Sequence, residues 1–110
     1  MKWTYEFSSD AEKDFADLDG TQKKQVLKAL DKVVQNPLPR SEGGYGEPLG
    51  NKRGRNLTGL LKVKLLKLGI RIVYRLIQTT DKKGNKTMRI VVIAARADEE
   101  VYDRAWERTR

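Results

Sequence analysis

The sequence contains neither cysteine nor histidine. The first absence excludes disulfides, thiolate catalysis and cysteine-based metal sites. The second removes the commonest general base and the commonest metal ligand together. No apolar run approaches the ~20 residues of a membrane-spanning helix. Residues 1–30 also lack the apolar core of a signal peptide, so the protein is expected in the cytoplasm. Negative charge is in short supply as well. Fifteen acidic residues stand against 23 basic ones, leaving a net charge of +8 and a pI near 9.8. Such an excess favours a polyanionic partner: nucleic acid, the ribosome or an acidic protein.

What is present suits one globular domain spanning residues 1–110, with 38% apolar and 35% charged residues and a core of modest size. Lys2 to Phe7 alternates Trp3, Tyr5 and Phe7 against Lys2, Thr4 and Glu6, the pattern of a strand with one buried face. Ser9 followed by Glu12 has capping-box spacing, predicting a short helix with Ala11, Phe15 and Leu18 inward. Asp19-Gly20 breaks it. A longer helix follows over Thr21 to Gln35, its stripe made by Val26, Leu27, Leu30, Val33 and Val34. Asn36-Pro37 ends it, because proline cannot continue the hydrogen-bond ladder. The two helices form a hairpin packed on a sheet, with Lys23, Lys24, Lys28 and Lys32 on solvated faces.

Residues 38–58 hold five of the nine glycines and two of the three prolines, and are expected to form an exposed, mobile loop. Gly44-Tyr45-Gly46 lacks the spacing of either phosphate-binding glycine motif, so a nucleotide site is rejected. The cluster Lys52-Arg53-Gly54-Arg55 offers contacts to phosphates. Asp81 to Lys86 is a turn-rich linker to a strand at Thr87 to Ala95, apolar on both faces around Ile90 to Ile93 and so expected inside a covered sheet. A last helix begins near Asp98, with Val101, Ala105 and Trp106 as its apolar face. Asp98, Glu99 and Glu100 suit its N-terminus, and Arg104, Arg108 and Arg110 its C-terminal end, through the helix dipole; no metal site is assigned to the acids. Trp3 and Trp106 read as core anchors.

The stretch Gly59 to Gln78 organises the chain. Its two runs meet at Lys67-Leu68-Gly69 as a β-hairpin. Alternation puts Lys62 and Lys64 on one face, and Leu61, Val63 and Leu65 on the other. On the return strand Arg71, Val73 and Arg75 oppose Ile70, Ile72, Tyr74 and Leu76. A loop of two or four residues places position 64 opposite position 71, gathering Lys62, Lys64 and Arg71. Like charges facing each other cost stability, and an anion-binding patch would account for that cost. A solvated polar face accounts for the alternation equally.

Leu61-Lys-Val-Lys-Leu65, Gly69-Ile-Arg-Ile-Val-Tyr-Arg75, Val92-Ile-Ala-Ala-Arg96 and Glu100-Val-Tyr102, in the order strand, two helices, three-strand meander, helix, resemble the RelE/ParE superfamily of bacterial and archaeal toxins. The resemblance covers essentially the whole chain. It implies an α+β fold of order β-α-α-β-β-β-α, a small mostly antiparallel sheet with an N-terminal helical hairpin packed on it. For the RelE-like branch it also implies a ribosome-dependent endoribonuclease cutting mRNA in the ribosomal A site, held inactive by a cognate RelB-like antitoxin and needing no cofactor. Carried over residue by residue, Lys62 and Lys64 fall on the family's two active-site lysines. Arg71, Arg96 and Tyr102 fall on its arginines and tyrosine. Lys52, Arg53, Arg55 and Arg75 are the further candidates for contact with RNA and the ribosome. The chain departs from the family in longer segments at 38–58 and 79–87, and in the less basic flanks of Arg96.

Without a metal, RNA cleavage proceeds by attack of the 2′-OH on its neighbouring phosphate. An ordinary lysine, with a pKa of about 10.4, is a poor base at neutral pH, but neighbouring cations lower that value. Lys64, flanked by Lys62 and Arg71, is therefore the expected base, assisted by Tyr102. Lys62 and Arg71 would stabilise the phosphorane, and Arg96 that charge or the leaving oxygen. Two other classes compete: a non-catalytic RNA- or ribosome-binding module using the same face, and a ParE-like inhibitor of DNA gyrase.

Overall fold

The first two helices owe their starts to local chemistry. The computed structural model describes residues 3–78 and 84–110. After β1 (Trp3–Phe7) comes α1 (Ser9–Ala16). Its cap is Ser8 rather than Ser9: the Ser8 hydroxyl accepts from the Ala11 amide, the bond that satisfies an otherwise orphaned first-turn donor. α2 (Gly20–Val33) is closed by a capping box in which Asp19 and Gln22 satisfy each other's backbone amides. Asp19, expected only to break a helix, therefore starts the next one. Ala11, Val26, Leu30 and Val33 turn inward. Leu27, expected in that stripe, lies on its edge and is exposed.

Residues 38–58 are not a loop. They hold a short 3-10 turn at Arg40–Glu42 and an edge strand, β2 (Glu47–Lys52), paired antiparallel with β3 (Arg55–Leu65). Leu49 and Leu57 are almost fully buried, and that burial, worth ~1.5–3 kcal/mol for each such side chain, outweighs the glycine and proline content. Pro48 is tolerated because β2 has a free edge. Arg53 and Gly54 both take positive φ, the backbone of a two-residue hairpin turn, so the basic cluster is the tip of a hairpin. Gly59 (φ +89) sits at a bulge in β3, where the strand carries extra residues against β2 and Leu57 and Leu60 reach the same core. Gly46 passes so close to the Tyr74 hydroxyl and the Leu61 side chain that a Cβ there would collide with both.

β4 (Ile70–Gln78) and β5 (Lys86–Ala94) complete a five-stranded sheet of order β1-β5-β4-β3-β2, parallel only between β1 and β5. The linker expected at 81–86 falls partly on residues outside those described. α1 and α2 cover one face over Leu61, Ile70, Ile72, Tyr74, Met88 and Ile90. α3 (Asp98–Thr109) covers the other over Leu49, Leu57, Leu60, Val73, Val91 and Val92. The double-sided apolar character of β5 follows. A bulge opposite Val73 and Tyr74 turns Val91 and Val92 to the same side. Beyond Ile90, β1 has ended, leaving one edge of β5 without a strand. Asp14 accepts from the Ile93 amide, and Arg108 donates to the Val91 carbonyl and to Asp14. Arg108, expected to serve its own helix end, thus ties α3 to α1 and satisfies that edge. Trp106 packs at the margin of the α3-side core. Trp3 belongs to neither core and instead lies under the Lys86 ammonium, 5.7 Å from its ring centroid. Among the described residues, no helix is long and apolar enough to cross a membrane.

The buried Tyr74 hydroxyl donates to the Pro37 carbonyl at 2.8 Å, pinning the segment that follows α2 to the central strand, and burial raises its pKa. Tyr74→Phe leaves that carbonyl without its partner and should destabilise the fold by about 1–3 kcal/mol. The check is the shift in urea midpoint at unchanged slope.

Candidate active site

The hairpin register sets the site. Lys64 pairs with Arg71 and Lys62 with Val73, so both lysines and the arginine lie on the α3 side, as the alternation predicted. The first turn of α3 lies over them. Lys62, the one buried charged side chain among the described residues, donates from Nζ to the Tyr102 hydroxyl at 2.7 Å. The same Nζ lies 3.5 Å from Asp98 Oδ1 and 3.9 Å from Glu47 Oε2. Arg71 Nε donates to Asp98 Oδ1 at 2.7 Å, while its Nη1 donates to the carbonyls of Gly69 and Arg96. Lys52 and Lys62 lie 5.7 and 5.2 Å from the Tyr102 ring centroid. Tyr102 is therefore both a buried residue of α3 and the meeting point of two lysines.

A buried ammonium with no partner would shed its proton. Burial does push the Lys62 pKa down, but the hydrogen bond to Tyr102 and the charges of Asp98 and Glu47 outweigh it, and the net direction is upward. Lys62 is thus held as a cation despite its cationic neighbours. Partial burial opposes ionisation of Asp98, yet the Arg71 hydrogen bond and the charges of Lys62, Arg71 and Lys64 win, and its pKa falls below the ordinary value. The 2.7 Å Arg71–Asp98 bond is of the short, charge-assisted kind.

The remaining candidates separate. Lys64 is exposed and makes no ion pair among the described residues. The Arg96 guanidinium is turned outward to Glu100, 3.6 Å away, while its carbonyl serves Arg71. Arg55 is committed to Asp103 and Glu99 at 2.8 and 2.7 Å. Arg53 makes a looser exposed contact with Glu99, the kind that contributes ~1 kcal/mol or less. Arg75 lies at the other end of α3, beside Arg89, its opposite on β5, and Thr109; its Nε is buried without a partner. Asp98 and Glu47 are the site residues that the sequence reading missed. The dipole explanation of Asp98 hid its second partner, and Glu47 lay in the segment read as a loop. The arrangement offers a phosphate two fixed cations, a free lysine and a tyrosine hydroxyl.

No protein-family model matches the chain, and no curated protein matches it in sequence. Solved structures do. A mutant of the E. coli toxin RelE in the free state superposes with a TM-score of 0.69 at 25% identity, covering 100% of both chains. The RelBE2 toxin–antitoxin complex of Mycobacterium tuberculosis matches at 0.64 and 22%, over 87% of this chain and 100% of that one. The intact E. coli RelBE toxin–antitoxin complex gives 0.58 and 23%, over 86% and 96%. The chain has the α+β fold of these proteins, with β2 as the addition to the expected element order. Its fold is that of a RelE-like toxin.

Because the folded pKa of Asp98 is depressed, its stabilising contribution is complete above the ordinary carboxylate value and is lost as pH falls through the folded one. Wild type should therefore lose more stability than Asp98→Asn between neutral pH and pH 3. Paired urea titrations at the two pH values measure the difference.

Proposed function

We propose that this chain is the toxin of a toxin–antitoxin pair, a ribosome-dependent endoribonuclease that cuts mRNA in the A site. The observation that carries the reading is the convergence of Lys62, Lys64, Arg71 and Tyr102 at the first turn of α3, on a fold shared with RelE toxins. In the proposed reaction the 2′-oxygen attacks phosphorus and its proton passes to Lys64, the exposed lysine that makes no ion pair among the described residues. The P–O5′ bond breaks, leaving a 2′,3′-cyclic phosphate and a 5′-OH. Lys62 and Arg71, fixed cations, stabilise the charge that builds on the phosphorane. The Tyr102 hydroxyl accepts from Lys62 and retains its own proton to donate toward the departing 5′-oxygen. A lysine is a weak base, so orientation of the mRNA by the ribosome must supply much of the acceleration.

The proposed partner is a RelB-like antitoxin, since the structural neighbours include RelBE complexes. A groove between α2 and the β3–β4 turn supports a docked helix. Leu65, Leu66 and Leu68 form its apolar side, Leu66 being 81% exposed, and Lys28, Lys32 and Lys67 form its rim. An acidic amphipathic helix would match both.

Primer extension on a programmed ribosome, beside naked RNA in chelator, tests the reading. Wild type should cut only within the A-site codon and leave naked RNA intact. Lys64→Ala should lose about 10²–10⁴-fold in rate while still binding ribosomes. Binding without cuts by wild type would make the chain a non-catalytic module. Neither cuts nor binding would shift attention to gyrase.

A further inference from the structure

The first turn of α3 carries three carboxylates in a row, and each is spent on a candidate site cation. Asp98 binds Arg71 and lies against Lys62; Glu99 meets Arg53 and Arg55; Glu100 meets Arg96. The helix dipole accounts for acids at an N-terminus, but not for these partners. None of them caps the helix: the N-cap is Ala97, and no side chain makes the cap bond.

Asp98 is the deepest of the three. One oxygen, Oδ1, takes the Arg71 Nε bond and stands 3.5 Å from the Lys62 ammonium. A phosphate oxygen bound by both cations would need the same place, because Lys62 is buried and its ammonium is otherwise engaged by Tyr102 and Glu47. We infer that the Asp98 carboxylate occupies the seat of the substrate phosphate, and that RNA engages Lys62 and Arg71 by displacing it. This rests on the nuclease reading for the identity of the anion. Asp98 holds the two cations in place while the site is empty and weakens the affinity of the free protein for RNA. Only an RNA presented in the right geometry repays its displacement. α3 itself is anchored by Val101 and Ala105 in the core, so the carboxylate can leave without the helix following.

The test is the affinity for a short single-stranded RNA, 2′-O-methylated throughout so that it resists cleavage, at one low salt concentration. Asp98→Asn should bind roughly tenfold tighter than wild type, as for loss of a close competing charge. Glu107→Gln makes the same change in net charge outside the site, where Glu107 pairs with exposed Arg110, and should gain less than about twofold because such charges are screened. Equal gains in the two variants, or weaker binding by Asp98→Asn, would overturn the inference and leave Asp98 as a positioning residue. Should Asp98→Asn unfold, wild type still decides. Titration with inorganic phosphate should move the Asp98 carboxyl carbon resonance toward that of a free carboxylate, and an unmoved resonance at saturation would overturn the inference. Tighter binding by Asp98→Asn, together with no A-site cleavage by wild type, would uphold the inference and remove the nuclease reading.

Discussion

The ammonium of Lys62 is the charge around which the site is built. It is buried on a strand between two apolar layers, where an unpaired charge would cost several kcal/mol. Tyr102 supplies an acceptor at 2.7 Å, and Asp98 and Glu47 supply counter-charge. Those three residues come from α3, the α3 N-terminus and the edge strand β2. One side chain therefore requires the hairpin, the added strand and the last helix to be in place together. Arg71 is drawn in through the same aspartate. The result is a set of cations fixed before any ligand arrives, which is what electrostatic stabilisation of a transient anion demands.

The sheet makes that arrangement possible by being covered twice. α1 and α2 pack on one face and α3 on the other, so the inner strands are apolar on both sides over their middles, with Lys62, Lys64 and Arg71 at the α3 N-terminus and Arg75 and Arg89 towards its other end. The polar interruptions fall where the apolar cover stops. Along the edge of β5 that β1 no longer reaches a different solution operates: Asp14 and Arg108 satisfy its backbone groups. Cation and carboxylate there complete the sheet edge, whereas at the α3 N-terminus they join β3 and β4 to the helix.

Much of this was legible in the residues. Strict alternation from Leu61 to Leu65 and from Ile70 to Leu76 placed every one of those side chains on its observed face, because a strand has a period of two and a buried face tolerates no slip. The pairing of Lys64 with Arg71 followed from loop length. The 38–58 segment was misread because its glycines and Pro48 outnumber its strand formers locally. What decides there is the burial of Leu49 and Leu57 against a helix some 50 residues later in the chain. Leu27 was misread for the converse reason: helical periodicity gives the width of a stripe, but the sheet beneath decides how much of it is covered.

By itself the sequence determined the helices, the hairpin register, the basic balance and the exclusion of cysteine and histidine chemistry, since each depends on neighbours in the chain or on composition. Which charges meet was decided only by tertiary structure. Asp98 looks like an ordinary first-turn acid until α3 is laid across β3 and β4; Coulombic interaction falls with distance and with solvent exposure, neither of which is written in the order of residues. The same holds for Arg55, basic in sequence yet consumed by Glu99 and Asp103, and for Lys62, whose burial among apolar neighbours turns a surface-type residue into a fixed cation.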